Sequence, residues 1–280
     1  GGLDKNIKNF NKTDVINFLK KNYTNSNSVI SIAGNTGISN KKTIHLLKKY
    51  FNKNFKYGGT TNIINKQPVF YNNFYQKYFN NNISIIDKKF SQAFICLSFI
   101  VDSFVSNNYY NTLILAECIS GPMISILFKL LREKEGLVYN ITYNYETFLE
   151  FGILQFICST DNTTKNIYKI IKIIIDVLNI LKNNIIPTKF LNTVIKYKIG
   201  ELNKDFDNTF SIAACNAYDF IYKLKPNKFK YIINQYLKTD NNKLKKISNN
   251  IFLKNNTNLT IITNKDVNIS KLKFCLNKLN

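Results

Sequence analysis

Residues 120–139 of the chain read SGPMISILFKLLREKEGLVY. Proline lacks the backbone N–H that a helix interior needs, so Gly121 and Pro122 interrupt a helix that we predict over residues 107–135. Glycine tolerates a positive φ, which lets Gly136 reverse the chain and lead it into a strand. The segment therefore predicts a helix, a turn and a strand in succession, with Arg132 on the last helical turn and Tyr139 at the start of the strand.

The flanking sequence predicts a sheet covered by helices. Residues 138–146 and 152–160 alternate polar and apolar side chains, which is typical of two antiparallel strands. Strands and helices are segregated along the chain, so we predict an α+β fold with a largely antiparallel sheet packed with helices. The other predicted elements are strands over residues 92–101 and 258–263, and helices over residues 163–182, 187–204, 209–224 and 267–279.

The first part of the chain predicts a smaller unit. A helix ending near Tyr23, a short buried strand over residues 29–33 and a helix beginning near Ser39 follow one another. Residues 57–82 contain two adjacent glycines and a proline without sustained periodicity, which indicates an interdomain linker. The sequence thus predicts a division into residues 1–56, 57–82 and 83–280. Because the only methionine is Met123, we expect a fragment or a processed product.

The charge of the chain is strongly positive, with a formal net charge of +22. The lysines are scattered along the chain, and Arg132 is the only arginine. Lysine, asparagine and isoleucine share AT-rich codons, so a compositional bias explains the charge better than a phosphate-binding face. We therefore predict no nucleic-acid partner, and we interpret lysine runs such as residues 243–246 as solvated helix faces.

The five cysteines are far apart and form no C-x-x-C pair. This pattern predicts free, buried thiols in a reducing compartment, either the cytoplasm of a bacterium or symbiont or an organelle matrix. The most apolar stretch, residues 167–181, contains Lys169, Lys172 and Asp176, which favours a core helix over a membrane span.

Residues 120–139 resemble the C-terminal domain of the metallopeptidase family that includes mitochondrial processing peptidase and pitrilysin. In that family a glycine-rich turn is followed by Met and Ser, then Leu-Phe, then an Arg-Glu-Lys-x-Gly-Leu-x-Tyr run. Departures are Ser120, Pro122, Ile124 and Ile126 in the glycine-rich turn, and Phe94 where the family has a histidine. The residues that match in register are Gly121, Met123, Ser125, Leu127, Phe128, Arg132, Glu133, Lys134, Gly136, Leu137 and Tyr139.

The resemblance implies roles for two side chains. The family's arginine and tyrosine hold the substrate backbone near the scissile bond, and the matching residues here are Arg132 and Tyr139. A guanidinium offers a rigid fork of donors, and a tyrosine hydroxyl can support a developing oxyanion. The alternatives are an arginine that pairs with Glu133 or Glu135 at a helix end, and a buried strand tyrosine.

The resemblance also implies zinc chemistry that this chain does not itself provide. The family's H-x-x-E-H motif is missing, and His45 is the only histidine, on a polar helix face. Residues 1–56 then resemble the end of an N-terminal peptidase-like domain, and zinc is expected in the intact protein or in a partner chain.

Two readings follow from this resemblance. The chain is either the substrate-contacting part of a metalloendopeptidase that cleaves peptides or presequences, or a non-catalytic scaffolding subunit. The expected partners are a peptide or unfolded polypeptide substrate and a related subunit, in a homodimer or heterodimer. A basic RNA-binding protein is a third reading, but the sequence contains no recognised RNA-binding module.

Overall fold

The computed structural model of the chain describes residues 2–54, 79, 82–221 and 229–279. They belong to two compact units. Unit 1 comprises Gly1–Val69 and Lys204–Lys228, and unit 2 comprises Phe70–Asn203 and Phe229–Asn280. Most of the predicted linker, residues 57–82, lies outside the described residues, so the predicted domain boundaries stay a prediction.

Unit 2 is built on a five-stranded sheet with the order β1-β5-β2-β4-β3. Neighbouring strands are antiparallel except β1 and β5, which are parallel. The α+β fold with a largely antiparallel sheet is therefore confirmed. The strands are β1 (Asn82–Ile86), β2 (Gln92–Val101), β3 (Ile141–Thr147), β4 (Gly152–Asp161) and β5 (Thr257–Ile262).

The helices of unit 2 pack on the sheet and on one another, and the predicted break at Gly121 and Pro122 is present. No helix in the described ranges is long and apolar enough to cross a bilayer. Among the described residues of both units, the α-helices and one π-helix are α1 (Asp4–Asn9), α2 (Lys12–Asn22), α3 (Asn40–Asn54), α4 (Tyr109–Ser120), the π-helix (Phe128–Lys134), α5 (Thr164–Asn183), α6 (Thr188–Phe206), α7 (Thr209–Ile221), α8 (Phe229–Leu237), α9 (Asn241–Ile251) and α10 (Ile269–Leu276).

The core of unit 2 lies between one face of the sheet and the helices of the same unit. Strand β4 alternates buried and half-buried side chains along its length, as a strand with one covered face must. Phe99, Phe156 and Phe252 meet in this core, with the rings of Phe99 and Phe252 in edge-to-face contact at 5.1 Å. Helix α5 buries a stripe of isoleucines at helical spacing, including Ile167, Ile170, Ile171 and Ile174.

Two local predictions differ from the structure. Residues 29–33 form no strand, and Ile30 and Ile32 are exposed. Backbone groups of an extended segment need a neighbouring strand to pair with, and none of the described residues offers one there. The sequence pattern predicts no strand at β1, whose first residue, Asn82, is the last residue of the predicted linker.

Candidate functional site

The turn between the π-helix and β3 connects the two residues that the sequence predicts to bind substrate, Arg132 on the π-helix and Tyr139 just before β3. The Glu135 N–H donates to the Leu130 carbonyl at 3.1 Å, a spacing of five residues that widens the last helical turn. Gly136 has a φ of 60°, a left-handed conformation that strains other residues. The Leu137 N–H then donates to the Leu131 carbonyl at 2.8 Å, which closes the turn against the helix end.

This turn brings Arg132 and Tyr139 together. The guanidinium carbon of Arg132 lies 4.7 Å from the centroid of the Tyr139 ring and 5.0 Å from that of Phe128. Such stacking restricts the guanidinium and leaves its edge free to donate hydrogen bonds. Tyr139 is 78% exposed and precedes β3 by two residues instead of beginning it. The role of the pair toward a substrate stays a prediction.

The acidic residues near Arg132 form no ion pair with it in the described part of the chain. Glu135 forms an ion pair with Lys169 on α5, and this hydrogen bond holds the pKa of Glu135 below its usual value. Within the part of the chain that the structure describes, no carboxylate lies within ion-pair distance of Arg132. The guanidinium is thus available to a further acceptor.

A second polar cluster, which the sequence reasoning missed, lies between α4, β3 and α6. We refer to Glu117, Tyr143, Tyr197, Lys198 and Glu201 as the Glu117 cluster. Glu117 is only 3% exposed, and its Oε1 accepts a hydrogen bond from the Tyr143 hydroxyl at 2.7 Å. The Lys198 Nζ lies 2.7 Å from the same oxygen and 3.1 Å from Glu201 Oε2. The Tyr197 hydroxyl donates to Glu201 Oε1 at 3.0 Å.

The electrostatics of the cluster follow from its burial and its charges. Burial raises the pKa of Tyr143, so its hydroxyl keeps its proton and acts as a donor. Burial alone would lower the pKa of Lys198, but the neighbouring Tyr143 and Glu117 outweigh it and the pKa is raised. Lys198 is therefore an ammonium shared by two carboxylates.

The backbone just after α4, at Gly121, packs tightly against Glu117. A Cβ added at Gly121 would lie 2.0 Å from Glu117 Oε2 and 2.7 Å from the Glu117 carbonyl oxygen. Only glycine allows this approach. The cluster opens into a cavity of about 390 Å³. The wall of this cavity includes the charged side chains of Glu117, Lys198 and Glu201, together with Ser120, Gly121 and residues 142–145 of β3. A sequence signal existed, since Glu117 is the one acidic residue in the apolar run LILAECI.

No group of three histidine, cysteine, aspartate or glutamate side chains within the described ranges could hold a metal ion. His45 is exposed on α3. All five cysteines are free, and burial raises the pKa of Cys158 to about 12. These residues therefore do not fit the ligand set of a catalytic zinc.

Comparison with known proteins agrees with the fold and with the motif. The sequence model of the family described as peptidase M16 inactive domain matches residues 9–196. The chain belongs to this M16 family. It is 29% identical over 160 residues to an uncharacterized zinc protease of Rickettsia felis, covering 57% of this chain and 35% of that protein. It is 24% identical over 234 residues to the uncharacterized zinc protease YmxG of Bacillus subtilis, covering 84% of this chain and 53% of that protein.

Several solved structures share the fold. A protease from Helicobacter pylori superimposes with a TM-score of 0.80 at 16% identity, over 94% of this chain and 61% of that one. A peptidase M16 inactive domain from Pseudomonas fluorescens gives 0.79 at 16% identity, over 94% and 60%. A chain of complex III2 from Candida albicans gives 0.76 at 12% identity, over 98% and 64%. The chain thus spans about a third to two thirds of the lengths of these relatives.

Proposed function

We propose that the chain is the C-terminal, substrate-contacting part of a zinc-dependent metalloendopeptidase that cleaves peptides or presequences. The observation that carries this proposal is the stacked pair of Arg132 and Tyr139 on an open turn of an M16 inactive domain. The guanidinium edge donates to a substrate carbonyl or carboxylate and fixes the substrate backbone. The Tyr139 hydroxyl donates to the oxygen on which negative charge develops when a peptide carbonyl is attacked.

Zinc belongs, in this proposal, to the intact protein or to a partner chain. When bound there it would supply Lewis-acid activation of the peptide bond and of water. The residues described here bind and orient the substrate. The likeness to proteins described as zinc proteases supports this assignment of roles.

Residues 1–56 form, in the proposal, the end of an N-terminal peptidase-like domain, joined by residues 57–82 to a C-terminal domain over residues 83–280. The exposed apolar side chains of unit 1, such as Phe18 on α2 and Ile30, support this division because a complete domain would cover them. The greater length of the relatives supports it as well. The five free thiols favour a reducing compartment, the cytoplasm or an organelle matrix.

A second function is favoured by one observation. A chain of complex III2 has the same fold, so M16 domains also occur inside large assemblies. The alternative proposal is therefore a non-catalytic scaffolding subunit that pairs with a related subunit. In either case we propose a homodimeric or heterodimeric assembly and no nucleic-acid partner.

The test compares three variants of the intact protein on a fluorogenic peptide. Arg132→Lys keeps the positive charge but removes the planar set of N–H donors of the guanidinium. We therefore expect kcat/KM to fall roughly 10- to 100-fold with unchanged thermal stability. Tyr139→Phe keeps the ring under the guanidinium, and we expect a fall of roughly tenfold from the lost hydroxyl. Glu133→Gln, an exposed neighbour, is the matched control and should leave cleavage unchanged.

Unchanged cleavage in both Arg132→Lys and Tyr139→Phe would refute the substrate-holding role. Absence of peptidase activity in the zinc-loaded intact protein, together with copurification of a related subunit, would favour the scaffolding alternative. Elemental analysis of the 280-residue chain after dialysis should find no stoichiometric zinc. One tightly held zinc per chain would contradict the assignment of zinc to other residues.

A further inference from the structure

A second cavity, of about 460 Å³, lies between three helices of unit 2, α4, α8 and α9. It shares no lining residue with the cavity of the Glu117 cluster. Its wall consists of three lysines, five side-chain amides of asparagine and glutamine, and Ile247. Residues three or four positions apart share one face of a helix, so Lys243, Lys246, Ile247 and Asn250 form one face of α9 toward this cavity.

The cavity is positively charged. Its lysines are Lys238, Lys243 and Lys246, and none of its lining residues is acidic. Asp240 forms an ion pair with Lys243 at 3.3 Å, and the Lys243 Nζ also donates to the Lys238 carbonyl at 3.0 Å. In the described ranges, no carboxylate lies within ion-pair distance of Lys238 or Lys246. Two ammonium groups at the cavity therefore have no paired carboxylate.

The start of α4 adds to this positive charge. The backbone N–H groups of a first helical turn carry a partial positive charge, and Asn108 and Asn111 at the start of α4 line the cavity. The Asn108 amide donates to Asp102 Oδ2 at 2.9 Å, which places one carboxylate near this helix end but outside the lining residues. Like charges around one cavity repel one another, and a bound anion relieves that repulsion.

The compositional bias toward lysine does not account for this arrangement. The sequence predicts that the lysine run over residues 243–246 is a solvated helix face, but the structure divides the run. The Lys245 Nζ donates to the Asn183 carbonyl at 2.8 Å, at the end of α5. Lys243 and Lys246 instead line the cavity together with Lys238, which follows α8. A bias raises the number of lysines, but it does not gather lysines of two helices around one cavity without acidic residues.

From these observations we propose that the cavity binds a small phosphomonoester, with its phosphate between Lys238 and Lys246 and a hydroxyl-bearing organic group among the amides. A phosphate monoester is a dianion near neutral pH, so it balances the two ammonium groups that have no paired carboxylate.

The rest of the wall indicates the kind of organic group. Side-chain amides both donate hydrogen bonds to hydroxyl groups and accept them, whereas Ile247 alone offers little surface to an aromatic or aliphatic group. The cavity is larger than a phosphate ion, and the remaining space suits a group of the size of a sugar. The inference is independent of the proposed function, since it needs neither zinc nor a peptide.

The test is a calorimetric titration of the 280-residue chain at about pH 8 and fixed ionic strength, where a phosphate monoester is a dianion. The probes are glucose 6-phosphate, inorganic phosphate and glucose. We expect glucose 6-phosphate to bind saturably at one site. Inorganic phosphate should bind roughly tenfold more weakly, because it lacks the hydroxyl groups that pair with the amides. Glucose should show no saturable binding at the same concentrations, because it lacks the charge.

Lys246→Gln is the decisive variant, because Lys246 is exposed and its loss leaves the ion pair of Lys243 with Asp240 intact. It should weaken the binding of both phosphate probes roughly tenfold. Lys245→Gln removes the same charge from the adjacent residue, which does not line the cavity, and should change the affinities by less than about twofold.

Asn111→Ala tests the organic group, because it removes one amide from the wall and no charge. It should weaken the binding of glucose 6-phosphate and leave that of inorganic phosphate unchanged. Thermal unfolding of all three variants excludes a folding defect.

Absence of saturable binding of both phosphate probes to the unmodified chain would overturn the inference. An equal loss of affinity in Lys246→Gln and Lys245→Gln would also overturn it, because the net charge of the chain and not the cavity would then attract phosphate. Equal affinities for glucose 6-phosphate and inorganic phosphate would overturn the assignment of the amides to an organic group. These outcomes leave the proposed function standing, because that function is tested by the effect of Arg132→Lys on cleavage.

Discussion

Unit 1 and unit 2 bury their apolar side chains to very different extents. In unit 2, Phe99, Leu154 and Phe156 are fully inaccessible between the sheet and its helices. In the described part of unit 1, no apolar side chain is buried, although α2 presents Val15 and Phe18 on its surface. An amphipathic pattern alone therefore does not make a core. A helix needs a second layer against which its apolar side is packed.

The contrast has a consequence for stability. Burial of apolar area is the main favourable term in folding, so unit 2 carries most of the stability of the described chain. The helices of unit 1 depend on capping and on whatever covers their apolar sides. Helix α2 begins with a capping box, in which the Asn11 side chain accepts from the N–H groups of Thr13 and Asp14.

The largest expected effect compares one phenylalanine from each unit. Phe99→Ala should destabilise unit 2 by about 3–5 kcal/mol, because it removes a ring from a closed core. Phe18→Ala, at a residue 61% exposed, should change the stability of the 280-residue chain by less than about 0.5 kcal/mol. Urea unfolding, with hydrogen exchange of the α5 amides as the reporter of unit 2, measures both.

The same two substitutions in the intact protein test whether another segment covers the apolar side of α2. If another segment covers the apolar side of α2, Phe18→Ala should become more costly there, while the cost of Phe99→Ala should not change. An equal, small effect of Phe18→Ala in both forms would show that α2 remains uncovered.

An intermediate effect compares two glycines of unit 2. Gly121→Ala should destabilise the protein by roughly 1–3 kcal/mol, because the new Cβ collides with the carboxylate and carbonyl of Glu117. Gly200→Ala, in the interior of α6, has open space around its Cβ and should stabilise the protein by about 0.5–1 kcal/mol. Thermal unfolding distinguishes them. Destabilisation by both would mean that helix α6 is packed more tightly there than the structure shows.

The smallest expected effect concerns helix caps and their dependence on pH. Asp240 caps α9, and its bond from the Lys243 N–H at 2.9 Å lowers the pKa of Asp240. Asp240→Ala should therefore destabilise unit 2 by about 1 kcal/mol at neutral pH. A lowered pKa in the folded state contributes stability that is complete above the ordinary aspartate pKa and disappears as the pH falls through the lowered value.

The matched control for this effect is Asn268, a neutral cap of α10 that accepts from the Lys271 N–H at 3.0 Å. Asn268→Ala should cost a similar amount, with little change between neutral and strongly acidic pH. Asn11→Ala, the equivalent change in unit 1, should leave the unfolding of unit 2 unaffected. Chemical denaturation at several pH values checks all three, and a pH-independent cost of Asp240→Ala would contradict the assigned cause.

Most of the fold of unit 2 could be predicted from local pattern. The break after α4, the antiparallel pair of β3 and β4, and the apolar stripe of α5 follow from glycine and proline placement and from periodicity. Strand β1 could not be predicted, because its five residues become a strand only by pairing in parallel with β5, which follows 170 residues later. The strand predicted over residues 29–33 is absent for the opposite reason, because no described strand lies beside this segment to pair with it.

At the candidate sites, the contact between Arg132 and Tyr139 follows from the local sequence. Only a single turn separates them, and the conformation of that turn is decided locally by Gly136. The contacts of Glu117 with Tyr143 and Lys198, and the position of their cavity beside an edge strand, depend instead on how α4, β3 and α6 pack together. The physical reason is the range of the contacts. Local backbone conformation depends on neighbouring residues in the sequence. Contacts between distant elements depend on how the helices pack and on the order of the strands.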